Sequence, residues 1–254
     1  MRWSAAIVFI TACMTGVAAG QAEAADTNDD IRLTFLGTGA PRPSHERYGP
    51  SILVEAGEYK VLVDAGPGMR ERMFQAGGFE LLTAVDHVLI THLHFDHTIS
   101  VPGLWLTGWL FGRKVPMKIF GPAGTTKMMG HFRAAYDWDI EYRITVGIHS
   151  EGSEVISQDI GPGVFFDEGG LKMTAFNVEH MPVDIETGES LGLKGATLGY
   201  RIDYKGRSVL FSGDTRSTVD SDILDVGKGV DVLIHETQVP TPGNSPEAVL
   251  ANVS

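Results

Sequence analysis

The chain is nearly devoid of cysteine: Cys13 is the single thiol in 254 residues. That excludes a disulfide framework within the chain. No Ser-His-Asp arrangement stands out either, so a protein nucleophile is hard to find. The glycine-rich turn Gly37-Thr38-Gly39-Ala40 lacks the Lys-Ser/Thr of a P-loop and the spacing of a dinucleotide fingerprint. Positive charge is scarce as well, with 20 Lys and Arg against 32 Asp and Glu and a net charge of −12. Nothing resembles the basic stripe of a nucleic-acid binder, which counts against a large polyanionic partner and leaves only a local basic groove open.

Apolar sequence without interruption occurs only at the amino terminus. Arg2 precedes Ser4 to Gly20, which are almost all small or apolar, and Ala22-Glu23-Ala24 offers a small-x-small cleavage pattern. The expectation is a signal peptide over residues 1–24, removal near Ala25 and export to the periplasm or medium, with no membrane span left afterwards. Ile10-Thr11-Ala12-Cys13 also resembles a lipoprotein box, which would anchor the protein at Cys13; the short apolar region before it makes this the second choice. Cys13 leaves with the leader, and Arg2 cancels Glu23, so the mature charge stays −12. The remainder, residues 25–254, is long enough for one large domain with a sizeable core. Both a monomer and a homodimer are compatible with it.

What is abundant is histidine at one place. The apolar run Val88-Leu89-Ile90 breaks into Thr91 and then His92-x-His94-x-Asp96-His97. Short apolar runs of this kind read as buried strands. Three imidazoles and a carboxylate within six residues are donors for zinc, manganese or iron, and packing alone gives no reason for that spacing. On a strand His92 and His94 point the same way, and a following turn lets Asp96 and His97 face a second ion.

Other stretches arrange themselves around this motif. Ile31 to Leu36 reads as a strand, and Ser51 to Glu55 with Tyr59 to Val63 as a hairpin. The second hairpin strand delivers Asp64, which either caps a helix over Met69 to Ala76 or orients a metal-bound imidazole. Val101 to Phe111 reads as a helix with Trp105 and Trp109 on one face, as core or as a wall of a cleft. Met117 to Phe120 is a strand, Thr125 to Tyr136 a helix and Trp138 to Val146 extended. Phe95, Trp105, Trp109, Trp138 and Tyr142 together are candidates for a partly apolar pocket. Residues 147–170 are polar and read as a hinge between two halves. In the second half, Lys172 to Val178 delivers His180, Val209 to Phe211 delivers Asp214, and Asp231 to Ile234 delivers His235. Each donor alone has an ordinary reading as a surface residue or a cap; several strands ending in donors point to one convergent edge. His45, His87, His131 and His149 fall outside the pattern and read as structural or solvated.

His92-x-His94-x-Asp96-His97, His180, Ser212-Gly213-Asp214 and His235-Glu236, with Leu36-Gly37-Thr38-Gly39, Gly199-Tyr200-Arg201-Ile202 and Val232-Leu233-Ile234, resemble the metallo-β-lactamase superfamily. The similarity is to the branch of ribonuclease Z and related arylsulfatase-like or phosphodiesterase-like hydrolases, and it runs from Ile31 to the end. It implies an α/β fold, an αββα sandwich of two mixed sheets flanked by helices, with the site at one edge. It implies two divalent ions, zinc first and manganese or iron next. His92, His94 and His180 would hold one, Asp96 and His97 the other, and Asp214 would bridge them. Asp64 would orient His92, and His235 would donate a proton or stabilise charge, making Asp96 and His235 the catalytic pair. A shared activated water would attack a phosphorus, sulfur or carbonyl centre.

One departure from the pattern is a final histidine downstream of His235, which this sequence does not contain. The expectation is a carboxyl-terminal truncation that also lacks the last helix. Acidity and export rank an exported hydrolase of a small phosphodiester, sulfate ester or lactone first, with nucleic acid an improbable partner. The alternatives are a ribonuclease Z-like tRNA 3′-processing endonuclease and a non-catalytic metal-binding protein.

Overall fold

A computed structural model describes residues 29–180, 197–216 and 221–237. The expected leader and the stretch after Thr237 lie outside these residues. The first half forms a six-stranded sheet in the order β1 (Ile31–Gly37), β2 (Ser51–Ala56), β3 (Tyr59–Val63), β4 (His87–Leu89), β5 (Met117–Gly121), β6 (Val155–Asp159). The first three strands are antiparallel neighbours, and β3 to β6 run parallel. The second half contributes β7 (Gly163–Glu168), β8 (Leu171–Asn177), β9 (Leu198–Tyr204), β10 (Arg207–Phe211) and β11 (Val232–Ile234) to a five-stranded sheet. There β7 to β10 are antiparallel and β11 lies parallel to β10. Both sheets are therefore mixed.

The α-helices are α1 (Met69–Ala84), α2 (Phe95–Thr98), α3 (Val101–Leu110), α4 (Thr125–Ala135), α5 (Asp137–Thr145) and α6 (Ile223–Val226). Strand alternation sorts the apolar side chains into layers. Val61, Val63 and Leu89 of the first sheet meet Met173, Tyr200, Ile202 and Phe211 of the second. On the opposite face of the first sheet, Leu62, Val88 and Ile119 pack on Met69, Met73, Leu104, Trp105 and Trp109. Phe176 and Leu210 are covered by Ile223 of the single-turn α6. The order helix, sheet, sheet, helix is the expected αββα sandwich.

Three local expectations are corrected. Residues 137–145 are helical, not extended. The apolar residues 138, 140, 142, 144 and 146 alternate, but only Ile140 is buried within the helix, and the Arg143–Asp139 pair at 2.8 Å is an i, i+4 contact that a helix makes. Helix α1 does not end at Ala76; it breaks at Gly77 and Gly78 and resumes to Ala84. The polar stretch 147–170 contains β6 and β7, edge strands through which the chain passes from one sheet to the other. Edge position explains their exposed, polar pattern.

Because β3 and β4 are parallel, Asp64 and the His92 loop leave the first sheet at the same end. In the second sheet β8, β10 and β11 share one direction, so His180, Asp214 and His235 also emerge together. The two sheets are tied there: Leu198 N–H donates to Thr91 O at 2.8 Å, and His92 forms an isolated bridge with Thr197.

Candidate metal centre

The motif adopts two conformations in succession. His94 is extended (φ −60°, ψ 146°), and α2 begins at Phe95. The extended part turns His92 and His94 to one side, while the helical turn buries Asp96 and His97. Backbone bonds weld this turn to the loop after β3: Ala65 N–H donates to His97 O at 2.8 Å and Ser100 N–H to Ala65 O at 3.0 Å. The loops touch so closely that a Cβ on Gly66 would lie 2.5 Å from Asp96 O. Asp64 itself sits in the left-handed region at φ 59°, a conformation Asp tolerates better than most residues and one associated with functional sites.

Six donors converge above this platform. His92 Nε2 lies 2.8 Å from His94 Nδ1, and His180 Nε2 lies 3.3 Å from the same atom. Two ligands of a tetrahedral zinc ion, each about 2.0–2.1 Å from it, stand about 3.3 Å apart. His97 Nε2 is 3.5 Å from Asp214 Oδ2 and 3.7 Å from Asp96 Oδ2, and Asp214 Oδ2 is 3.8 Å from His180 Nε2. The triads His92, His94, His180 and His92, His97, Asp214 each keep their ligand atoms within 4.8 Å of one another. His97 Nδ1 is engaged with Asp64 Oδ2 at 2.8 Å, which leaves Nε2 buried without a hydrogen-bond partner among the described residues. An orphaned imidazole nitrogen aimed at carboxylates fits a divalent cation.

Charge within the cluster is strongly redistributed. Burial takes the His92 imidazole down to about 2, with His97 adding to the effect. Burial also opposes charge on His97, but Asp64 and Asp214 outweigh it and raise that group to about 10. Asp214 would be raised by burial, yet the pull of His97 brings it down to about 2. His180 is lowered by burial, and Glu236 is raised by burial with Asp214 repelling it. In the metal-free chain the proton held on His97 partly offsets the negative charge of Asp64 and Asp214.

His92, His94, Asp96, His97, His180 and Asp214 are thus brought together as the sequence anticipates. Asp64 differs in detail. It contacts His97 directly and reaches His92 only through Thr91, whose hydroxyl lies 2.9 Å from Asp64 Oδ2 and 3.0 Å from His92 Nδ1. His235 follows β11 at the same edge, exposed, with Nδ1 2.7 Å from Glu236 O, and belongs to neither triad. Sequence reasoning named Thr91 and Glu236 but gave neither a role. Glu236 accepts from Thr215 N–H, and its own N–H donates to Ser212 Oγ at 3.2 Å, bracing the Asp214 turn.

The aromatic residues divide. Trp105 and Trp109 are core, their indole N–H groups donating to Ser153 O at 3.0 Å and His149 O at 2.6 Å. Trp138 and Tyr142 stack on each other on the exposed side of α5. Only Phe95, 57% exposed and next to His94, stands directly at the motif. The glycine-rich loop after β1 is no phosphate cradle, since Thr38 N–H and Gly39 N–H are bonded to Arg47 O and Tyr48 O.

A sandwich of two mixed sheets with a histidine and carboxylate cluster at one edge defines a metal-binding hydrolase of the metallo-β-lactamase fold. Residues 59–247 match the family model described as the Beta-lactamase superfamily domain. A ribonuclease Z of Mycobacterium sp. (strain KMS) is 34% identical over 208 residues, spanning 81% of this chain and 68% of that protein. Among solved structures, the short form of human tRNase Z aligns with a TM-score of 0.65 at 21% identity, over 84% of this chain and 80% of that one. Zn(2+)-bound PqqB from Methylobacterium extorquens aligns with a TM-score of 0.61 at 18% identity, over 87% and 77%. The chain belongs to the metallo-β-lactamase superfamily, on its ribonuclease Z branch.

Proposed function

We propose that this chain hydrolyses phosphodiester bonds with two divalent ions, in the manner of a ribonuclease Z, with the 3′ end of a tRNA precursor as the first substrate to test. The observation that carries the reading is the pair of donor triads sharing His92, with His97 Nε2 facing Asp214 and Asp96 at 3.5 and 3.7 Å. The similarity to ribonucleases Z over four-fifths of the chain favours RNA over the small exported esters that composition ranks first. A net charge of −12 is a sum over the whole chain and does not describe the surface beside the metal centre.

His92, His94 and His180 would hold one ion, Asp96 and His97 the other, and Asp214 would stand between them. Such ions supply Lewis acidity and a water of lowered pKa, with zinc the first choice and manganese or iron next. The protein's own share is positional. Asp64 holds the His97 imidazole by Nδ1. Asp96 and Asp214 orient the attacking water, and Glu236 keeps the Asp214 turn in place. His235, which follows β11 at the same edge, would carry a proton to the leaving oxygen.

The test is turnover of a tRNA precursor with a 3′ trailer, a chromogenic phosphodiester and an aryl sulfate by zinc- or manganese-loaded protein, wild type and His94→Ala. The expected result is phosphodiester cleavage that falls by about 100-fold or more in the variant. Preferential turnover of the sulfate, or equal rates in both proteins, would refute the reading. The second reading, an exported hydrolase of small phosphodiesters, rests on residues 1–24; cleavage of the chromogenic diester without the RNA, together with a mature amino terminus near Ala25, would favour it.

A further inference from the structure

Beneath the candidate ligands lies the buried hydroxyl of Thr91. Thr91 is 0% exposed. Its backbone N–H donates to Asp64 Oδ1 at 2.8 Å, and its hydroxyl donates to Asp64 Oδ2 at 2.9 Å. A hydroxyl has a single proton and two lone pairs. With that proton committed to Asp64, the 3.0 Å contact between Thr91 Oγ1 and His92 Nδ1 is made by an imidazole N–H donating to the hydroxyl oxygen. The proton of His92 therefore resides on Nδ1, and the Nε2 lone pair faces His94 and His180. Asp64 Oδ2 also receives the Nδ1 proton of His97 at 2.8 Å. One carboxylate thus sets the tautomer of an imidazole in each triad, directly for His97 and through one intervening hydroxyl for His92.

We propose that Thr91 is a positioning residue that relays the Asp64 carboxylate to His92 and so presents His92 Nε2 to the first ion. This rests on the reading of His92, His94 and His180 as metal ligands. The second ion, on the His97 side, depends on Asp64 without the relay. Thr91 also packs: a Cβ on Gly213, which sits at φ 59° in the turn delivering Asp214, would lie 3.0 Å from Thr91 Cβ and 3.1 Å from Thr91 Cγ2. Packing and relay make opposite predictions for two substitutions. Thr91→Val keeps the volume and the methyl group and removes the hydroxyl. Thr91→Ser keeps the hydroxyl and removes the methyl group.

The experiment is titration of metal-free full-length protein with cobalt(II), followed by visible absorption, for wild type and both variants. The relay predicts first-ion affinity reduced by about 10–100-fold in Thr91→Val and close to wild type in Thr91→Ser. The reverse ranking, or a Thr91→Val titration indistinguishable from wild type, overturns it. A second measurement needs no variant: nitrogen-15 chemical shifts of the imidazoles in metal-free wild type should show His92 protonated on Nδ1, and a proton on Nε2 instead overturns the relay even if Thr91→Val fails to fold. Should wild type take up no cobalt, the metal reading fails, and the same nitrogen-15 shifts still decide the relay by themselves.

Discussion

Removing the metal should make stability depend on pH in a way that the cluster dictates. His97 is 1% exposed and its imidazole is raised from 6.5 to about 10 by Asp64 and Asp214. The folded state therefore holds a proton between pH 6.5 and about 10 that the unfolded chain releases. The stabilisation it gives is complete below 6.5 and is lost as pH rises, at about 1.4 kcal/mol per unit. The full interval corresponds to about 5 kcal/mol, comparable with the whole stability of many domains. His92 acts in the other direction. Lowered by burial to about 2, it stays neutral in the fold while the unfolded chain takes up a proton below 6.5, so acid destabilises by about 1.4 kcal/mol per unit. His180 shifts the same way. Asp214, lowered to about 2, adds a further loss as pH falls below 3.8. The metal-free protein should be most stable near pH 6.5 and lose stability on both sides, by about 3 kcal/mol two units above it. A cation on His97 Nε2 displaces that proton, so the alkaline decline should vanish in the metal-loaded protein. Urea unfolding at pH 5 to 9, with chelator or with zinc, measures both limbs. Equal metal-free stability at pH 6.5 and 8.5, or an alkaline decline that persists in His97→Gln, would refute the reasoning.

Other perturbations test the supports of the site. Tyr200 is fully buried and its hydroxyl donates to Ile90 O at 2.6 Å, so Tyr200→Phe should cost about 1–2 kcal/mol, readable as a fall in the urea midpoint. Gly66→Ala places a methyl group 2.5 Å from Asp96 O and between the two site loops; about 1–3 kcal/mol of strain and weakened zinc uptake by calorimetry are expected. The division of the tryptophans predicts a contrast in thermal unfolding. Trp105→Ala should cost about 3–5 kcal/mol, whereas Trp138→Ala, at a side chain 77% exposed, should change stability by about 0.5 kcal/mol or less.

The architecture was legible where the sequence carries short apolar runs ending in polar donors. Val61 to Val63, Val88 to Ile90 and Val209 to Phe211 are apolar on both faces, as strands covered on both sides must be, and the polar residue that ends each run marks the sheet edge. Alternation misled at residues 138–146, because an exposed helix places few constraints on its apolar residues. There Trp138 and Tyr142 satisfy a period of two without any strand partner. The edge strands β6 and β7 escaped notice for the related reason that a half-covered edge has no continuous apolar face.

Within the site, the donor cluster was legible because His92 and His94 share one side of an extended segment and the more distant donors each follow an apolar run. What could not be read was register. The pairing of Val63 with Leu89 sets Asp64 beside Ile90, and Asp64 N–H donates to Leu89 O at 2.8 Å. Its carboxylate consequently meets Thr91, the first residue past the strand, and not His92 one place further on. A slip of one residue in that pairing would turn the carboxylate to the other side of the sheet. No composition or periodicity fixes such a slip, since it is set by backbone contacts among residues that are far apart in sequence, from Gly49 N–H on Pro67 O to Ala65 N–H on His97 O. The sequence therefore names the donors that converge, whereas the residues that brace them depend on contacts between loops. Thr91, placed where the β3 and β4 loops meet the turn before Asp214, is one position that carries that dependence.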